Sequence, residues 1–193
     1  MMDLPARPAR QAEYAKYERA YASPDYRMGS GRMHDAQTDL AALPTRGAYL
    51  DVGCGRGEML AFAEAQGFAP VLGVEVVPEL IDADRNVARG EGHALPLPPS
   101  SFDVVTAFDV LEHVLPHDDA LFCRELRRVA RRHIIVTANN RSSKLPDGTE
   151  LHINRRPFDE WDRLLAEWFR CPVQRIAGRR QFPDSPAWRA DLT

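Results

Sequence analysis

The chain has 193 residues, 44% of them hydrophobic and 27% charged, and its formal net charge is −3. That length suits one domain with a core of useful size. The slight acidity provides no broad basic field to gather nucleic acid. Cys54, Cys123 and Cys171 are too widely spaced to suggest a disulfide framework or a zinc site. No run approaches the roughly 18 apolar residues of a membrane span. The stretch from Met1 to Arg10 has no apolar leader segment, so a reducing cytoplasm is the expected location.

Residues 1–45 are predicted to form an arm and helices, with residues 46–193 as the main domain. Residues 12–22 (AEYAKYERAYA) have helical composition and place Tyr14, Tyr17 and Tyr21 on one face. Such a stripe ordinarily packs a helix onto its domain, and roofing a ligand cleft is the alternative. Ser23-Pro24 breaks this helix. A glycine-containing turn follows, then a second helix over 34–43.

From residue 47 strands and helices alternate. GAYLDVG reads as a strand, 56–66 as a helix, PVLGVEV as a strand, and 78–88 as a helix. A brief strand is expected over 90–95 and a clear one in SFDVVTAFDV. Then come an amphipathic helix over 118–130, the buried strand HIIVTA, a helix over 158–169 and a strand over 172–178. This order implies right-handed crossovers and a doubly wound, mostly parallel α/β sheet with helices on both faces. Residues 139–157 are the longest stretch without an element, and long loops at this place often serve function.

The strongest local signal is Asp51-Val-Gly-Cys-Gly-Arg-Gly57, between a strand and a helix. Glycines are needed where backbone turns sharply or approaches a ligand closely. A dinucleotide loop has the spacing G-x-G-x-x-G, and here the third glycine comes one residue early. A carboxylate before the first glycine would repel a pyrophosphate but suit a cation.

The motif resembles that of the class I S-adenosylmethionine-dependent methyltransferases, in particular the small group with an LDVGCGxG signature. Three further blocks follow in the family's order: Glu75 in GVEVV, GHALPLPPSSFDVV, and AFDVLEHV. The resemblance runs from about residue 47 to 170. It implies a Rossmann-like methyltransferase domain that uses S-adenosyl-L-methionine and releases S-adenosyl-L-homocysteine. Asp51, Gly53, Cys54, Gly55 and Gly57 would form the cofactor loop. Glu75 would take the ribose hydroxyls beside Val76. Asp109 and Val110 would lie at the fourth strand's end. His93 stands where the family often has an acid. It either accepts the adenine amino group or points away and leaves adenine to Ala94 and Leu95.

Methyl transfer mainly requires that acceptor and methyl be held in near-attack geometry, and a hydroxyl or amine acceptor can also call for a base. His113 and His152 are the candidate bases, ahead of His117. The resemblance implies that the segment before the first strand, residues 1–45, caps the cofactor and acceptor cleft. Arg27 or Arg32 could pair with the cofactor carboxylate, and Arg141, Arg155 and Arg156 flank the expected mouth. A metal cluster of His113, His117, Asp118 and Asp119 is not expected, because acids before a helix usually serve as N-caps.

The Asn/Asp-Pro-Pro-aromatic block of amino-methylating DNA enzymes is absent, and so is the Pro-Cys of cytosine-carbon enzymes. The expected acceptor is therefore a small polar or anionic molecule or sugar unit, methylated on oxygen before nitrogen. Duplex DNA and membrane are not expected partners. Two other readings are a nucleotide-dependent oxidoreductase, which the glycine spacing disfavours, and a cofactor-binding module without turnover, acting as a partner or scaffold.

Overall fold

The computed structural model describes residues 7–24, 26, 28–176 and 186–192. Helices α1 (Arg7–Tyr21) and α2 (Ser30–Ala41) precede strand β1 (Tyr49–Val52), helix α3 (Glu58–Ala65) and strand β2 (Val71–Glu75). Then follow β3 (Val87–Arg89), β4 (Phe102–Ala107), α4 (Asp119–Val129), β5 (Ala130–Thr137), α5 (Phe158–Phe169), β6 (Val173–Ile176) and β7 (Ala187–Asp191).

The seven strands of the described residues form one sheet in the order β3-β2-β1-β4-β5-β7-β6. The pairs among β1 to β5 are parallel, and β7 runs antiparallel to β5 and β6. The chain reverses its direction of winding between β1 and β4. Ligands in open α/β sheets bind at such a switch point, outside the carboxyl ends of the strands.

Strand alternation divides the core. Tyr49 joins one buried cluster with Leu40, Met59, Leu60 and Phe68, while Leu50 and Val52 face the other with Phe122, Leu126, Trp161 and Trp188. Helix α4 buries Phe122, Cys123, Leu126 and Val129, and α5 buries Trp161, Leu165, Trp168 and Phe169. These spacings put one apolar stripe of each helix against the sheet.

The predicted helix over 78–88 does not form. Pro78–Leu80 and Ala83–Arg85 make separate single turns. Ile81 between them is extended, the Asp82 carboxylate accepts the amides of Asp84 and Arg85, and Asn86 adopts a left-handed φ of 57°. These local side-chain and backbone choices outcompete a weak helical pattern. The brief strand expected over 90–95 lies earlier, at β3, and β7 had no reading in the sequence.

Candidate active site

Helix α1 lies across the carboxyl end of the sheet and is fastened along its length. Arg10 Nε and Nη2 donate to both oxygens of Asp118 at 2.6 and 3.0 Å. The Tyr14 hydroxyl donates to Glu91 at 3.2 Å, and Lys16 holds Glu13. The Tyr17 hydroxyl donates to the Leu151 carbonyl at 3.0 Å, and Arg19 reaches Asp147 at 2.8 Å. The tyrosine stripe therefore roofs a cleft rather than simply packing the helix down: Tyr14, Tyr17 and Tyr21 all line a cavity of about 150 Å³.

That cavity is walled by Val52, Gly53, Glu75, Val76, His93, Asp109 and Val110. A second cavity of about 120 Å³ adjoins it, lined by Arg32, Asp51, Gly53, Cys54, Gly55, Phe108, Asp109, His113, Ser143 and His152. Tyr21, Tyr26, Gly53, Asp109 and His113 border both chambers. Tyr21 and Tyr26 meet edge to face at 5.0 Å. Each chamber is smaller than the roughly 300–1,000 Å³ of an ordinary ligand site. They work as one site if the Tyr21–Tyr26 partition shifts when a ligand enters.

The glycine loop fits a cofactor that needs bare backbone. Gly53 and Gly55 have φ of 76° and 56°. A Cβ at Gly53 would meet Val110 Cγ2 at 2.6 Å, and one at Gly55 would meet the Tyr21 hydroxyl at 2.6 Å. Gly57, at φ 79°, is the N-cap of α3. Cys54 packs behind the loop, and burial pushes its thiol pKa up, so it is inert as a nucleophile.

Asp51 is 3% exposed and accepts a 2.7 Å hydrogen bond from the Thr106 hydroxyl. Burial pushes its carboxyl up to about 7, against the bond from Thr106, with Glu75 and Glu58 adding repulsion. A cationic ligand beside it would relieve that penalty, as the α-ammonium of an adenosyl amino acid could.

Glu75 is more committed than the sequence implied. Its Oε2 accepts the Gly55 amide at 3.0 Å, and its Oε1 accepts the amides of Val76 and Val77 at 2.7 and 3.1 Å. The carboxylate thus ties the glycine loop to the end of β2. With two acceptor sites per oxygen, Oε1 is full and Oε2 has one left for a ribose hydroxyl.

His93 lines the first cavity, 3.3 Å from Glu91, and burial lowers its pKa. Ala94 and Leu95 stand behind that wall. The Ala94 amide donates to the Glu91 carbonyl at 2.9 Å and the Leu95 amide to Glu125 at 2.8 Å, while the Leu95 side chain sits in the core. The Ala94 amide and the Leu95 side chain, the alternative adenine contacts expected from the sequence, are thus committed elsewhere, and neither residue is among those that wall the first cavity.

Asp109 has a strained φ of 53°. Its amide donates to Thr137 Oγ1 at 2.6 Å, and its carboxylate pairs with Arg32 at 3.0 Å. Arg27 lies outside the described residues, so Arg32 is the arginine of that segment placed at the site.

The structure brings His113 and His152 together, with ring centroids 4.8 Å apart. The main-chain amide of Asn154 donates to the Glu112 carbonyl at 3.0 Å, and its side chain donates to the Leu111 carbonyl at 3.2 Å. These bonds lock the long loop onto the turn that carries His113. Burial, with His152 beside it, lowers the His113 pKa to about 3, and burial lowers that of His152. Both imidazoles are therefore neutral at ordinary pH, and His113 is a weak base in this closed state. His117, Asp118 and Asp119 do not gather with His113: Asp118 pairs with Arg10, and Asp119 with Arg156. Two features gave no signal in the sequence. These are the Arg10–Asp118 clasp, 108 residues apart in the chain, and the seating of Ser143 in the second chamber.

Residues 50–136 match the family model described as "Methyltransferase domain". No curated protein matches the chain. Among solved structures, the 1,6-didemethyltoxoflavin-N1-methyltransferase of Burkholderia thailandensis, solved with 1,6-didemethyltoxoflavin and S-adenosylhomocysteine, is similar. It has 19% identity and a TM-score of 0.74, over 98% of this chain and 92% of that one. An S-adenosylmethionine-dependent methyltransferase of Mesorhizobium loti matches at 15% identity and TM-score 0.63, over 84% of this chain and 99% of that one. One from Archaeoglobus fulgidus matches at 16% identity and TM-score 0.63, over 85% and 95%. The strand order, the glycine cradle opposite a buried carboxylate and the matched stretch agree: residues 50–136 are similar to the methyltransferase-domain family, and the sheet has the fold of the class I S-adenosylmethionine-dependent methyltransferases.

Proposed function

We propose that this enzyme methylates an oxygen of a small polar molecule or sugar unit. The observation that carries the reading is the second chamber. It is roofed by Tyr21 and Tyr26, floored by the cofactor loop and rimmed by Arg32, Asp109, His113, Ser143 and His152. An enclosure of about 120 Å³ admits a small polar group and no folded macromolecule.

Bound S-adenosylmethionine supplies a methyl group on a cationic sulfur. In this reading the chain's residues do the rest. Asp51 takes the ammonium end, Glu75 keeps the loop shut over the ribose, and His93 with Val76 flanks the adenine. Val110, Cys54, Gly53, Gly55 and Gly57 shape the cradle. The neutral rings of His113 and His152 present lone pairs that orient an acceptor O–H, and the roof excludes water. Arg32 favours an acceptor carrying negative charge.

A nitrogen acceptor is the second reading, since the Burkholderia neighbour is by name an N1-methyltransferase. The test is transfer of isotope-labelled methyl from the cofactor into a panel of hydroxylated and aminated metabolites, with products resolved by mass spectrometry and NMR. Label on oxygen supports the proposal. Label confined to nitrogen, protein or RNA overturns it.

A further inference from the structure

We propose that Glu112, His113 and His152 form a binding site for a divalent transition-metal ion at the wall of the acceptor chamber. The inference rests on the acceptor reading above only for what the ion would do, not for its existence.

One ligand atom from each of the three residues lies within 4.8 Å of the others. Glu112 is 0% exposed, and neither carboxylate oxygen has a hydrogen-bond partner among the described residues. Its own amide and that of Asn139 face the group without hydrogen-bond alignment. A buried carboxylate without such a partner carries a large desolvation penalty, so something beyond the described residues is expected to face it.

The two histidines point the same way. His152 Nδ1 lies 2.6 Å from the Arg141 carbonyl, which can only accept, so the neutral ring carries its proton there. His113 Nδ1 lies 2.6 Å from the Tyr17 hydroxyl, which donates onward to the Leu151 carbonyl at 3.0 Å, and the carbonyl is itself 3.1 Å from Nδ1. The network closes with the proton on Nδ1 of both rings, which leaves each Nε2 a bare lone pair. Two such rings stand with a carboxylate that has no hydrogen-bond partner among the described residues, and each of the three offers an acceptor atom to the group. Metal-bound histidines commonly donate their other N–H to a carbonyl in this manner.

Arg32, the guanidinium whose charge acts on all three groups, is committed to Asp109 at 3.0 Å. Two imidazoles and one carboxylate suit a borderline divalent ion such as Mn²⁺, Co²⁺ or Zn²⁺ and leave coordination positions open. Bond lengths near 2.1 Å put ligand atoms about 3–3.5 Å apart, so the widest separation must close by about 1.5 Å. The open positions would face the second chamber, where His113 and His152 are wall residues. There the ion, in place of the imidazole lone pairs themselves, would fix an acceptor bearing adjacent oxygen donors.

The test uses the full chain, stripped with chelator and titrated with Co²⁺. Calorimetry and the visible absorption of the ion are read together, and S-adenosylhomocysteine binding is measured on the same sample. The expected result is one saturable equivalent with a nitrogen-ligand spectrum. Glu112→Gln and His152→Asn should each weaken binding by at least about a hundredfold, and Tyr17→Phe by about tenfold. His117→Ala should leave it unchanged. Should Glu112→Gln fail to fold, His152→Asn carries the comparison. Absence of stoichiometric binding, or binding indifferent to His152→Asn, overturns the site. S-adenosylhomocysteine binding without Co²⁺ binding refutes the metal and leaves the transferase reading intact. Co²⁺ binding without methyl transfer to oxygen refutes only the acceptor reading.

Discussion

Asp51→Asn is the sharpest perturbation of the cofactor site. In the free protein burial holds the Asp51 carboxyl near 7, while the unfolded chain has it near the ordinary 3.8. A carboxyl whose folded value is raised contributes against stability as pH climbs. Below about pH 4 both states are protonated and nothing is lost. Between about 4 and 7 the unfolded chain ionises and the folded one resists. The accumulated loss is about 4 kcal/mol, at 1.36 kcal/mol per unit. A ligand ammonium reverses the preference, so binding below pH 7 must release the proton. Affinity for S-adenosylhomocysteine should therefore rise about tenfold from pH 6 to pH 8. At pH 6 about one proton should be released per ligand, read by calorimetry in buffers of different ionisation heat. Asparagine cannot ionise and can still accept from Thr106. Asp51→Asn should accordingly raise the melting temperature of the free protein at pH 8, weaken the ligand and abolish the pH dependence. Wild-type affinity that stays flat from pH 6 to 8, with no proton released, would falsify the claim that a buried carboxyl meets the ligand's cation.

Three further outcomes are expected. Gly55→Ala should weaken S-adenosylhomocysteine binding by at least about tenfold, since an L-residue at φ 56° is strained by roughly 1–2 kcal/mol and its Cβ meets the Tyr21 hydroxyl. Adding Tyr21→Phe should recover part of that loss, and a double-mutant cycle with no coupling would contradict the predicted clash. Glu75→Gln exchanges an acceptor-only group for one with a donor. The amides of Gly55, Val76 and Val77 cannot all remain satisfied, so hydrogen exchange at Gly55 should accelerate and ligand affinity fall by about 1.5–3 kcal/mol per lost charged bond. Unchanged Gly55 exchange in a folded variant would dismiss the tie. Arg10→Met leaves Asp118 buried without its clasp and should speed dissociation of S-adenosylhomocysteine in stopped flow more than it slows association. An unchanged dissociation rate would show that α1 does not gate the cofactor.

The sheet was legible because parallel strands buried on both faces read as apolar runs. GAYLDVG, PVLGVEV and HIIVTA left little choice of element. The strand β7 escaped because AWRAD lacks β-branched residues, and its place is secured by pairing with β5 and by the Trp188 side chain in the core. The failed helix over 78–88 shows capping chemistry at Asp82 and Asn86 overriding composition. At the site, the glycine loop and Glu75 were readable because backbone curvature demands glycine and a strand end fixes the acid. The crowding of Glu112, His113 and His152 was not, since it depends on a 39-residue return of the chain that Asn154 pins by hydrogen bonds invisible in one dimension. The occupied amides of Ala94 and Leu95 were equally hidden, being spent on partners at Glu91 and Glu125.

The ion pairs that moor α1 have a kinetic meaning as well as a static one. A latch built from Arg10–Asp118 and Arg19–Asp147 must let go each time spent cofactor departs. The exposed Arg19–Asp147 pair is screened by dissolved salt far more readily than the sheltered Arg10–Asp118 pair. Opening would then begin at the carboxyl end of the helix, over the acceptor, and travel back toward the nucleoside. On this picture the enzyme would release its methylated product before its exhausted donor, with ionic strength acting more on the first departure than on the second.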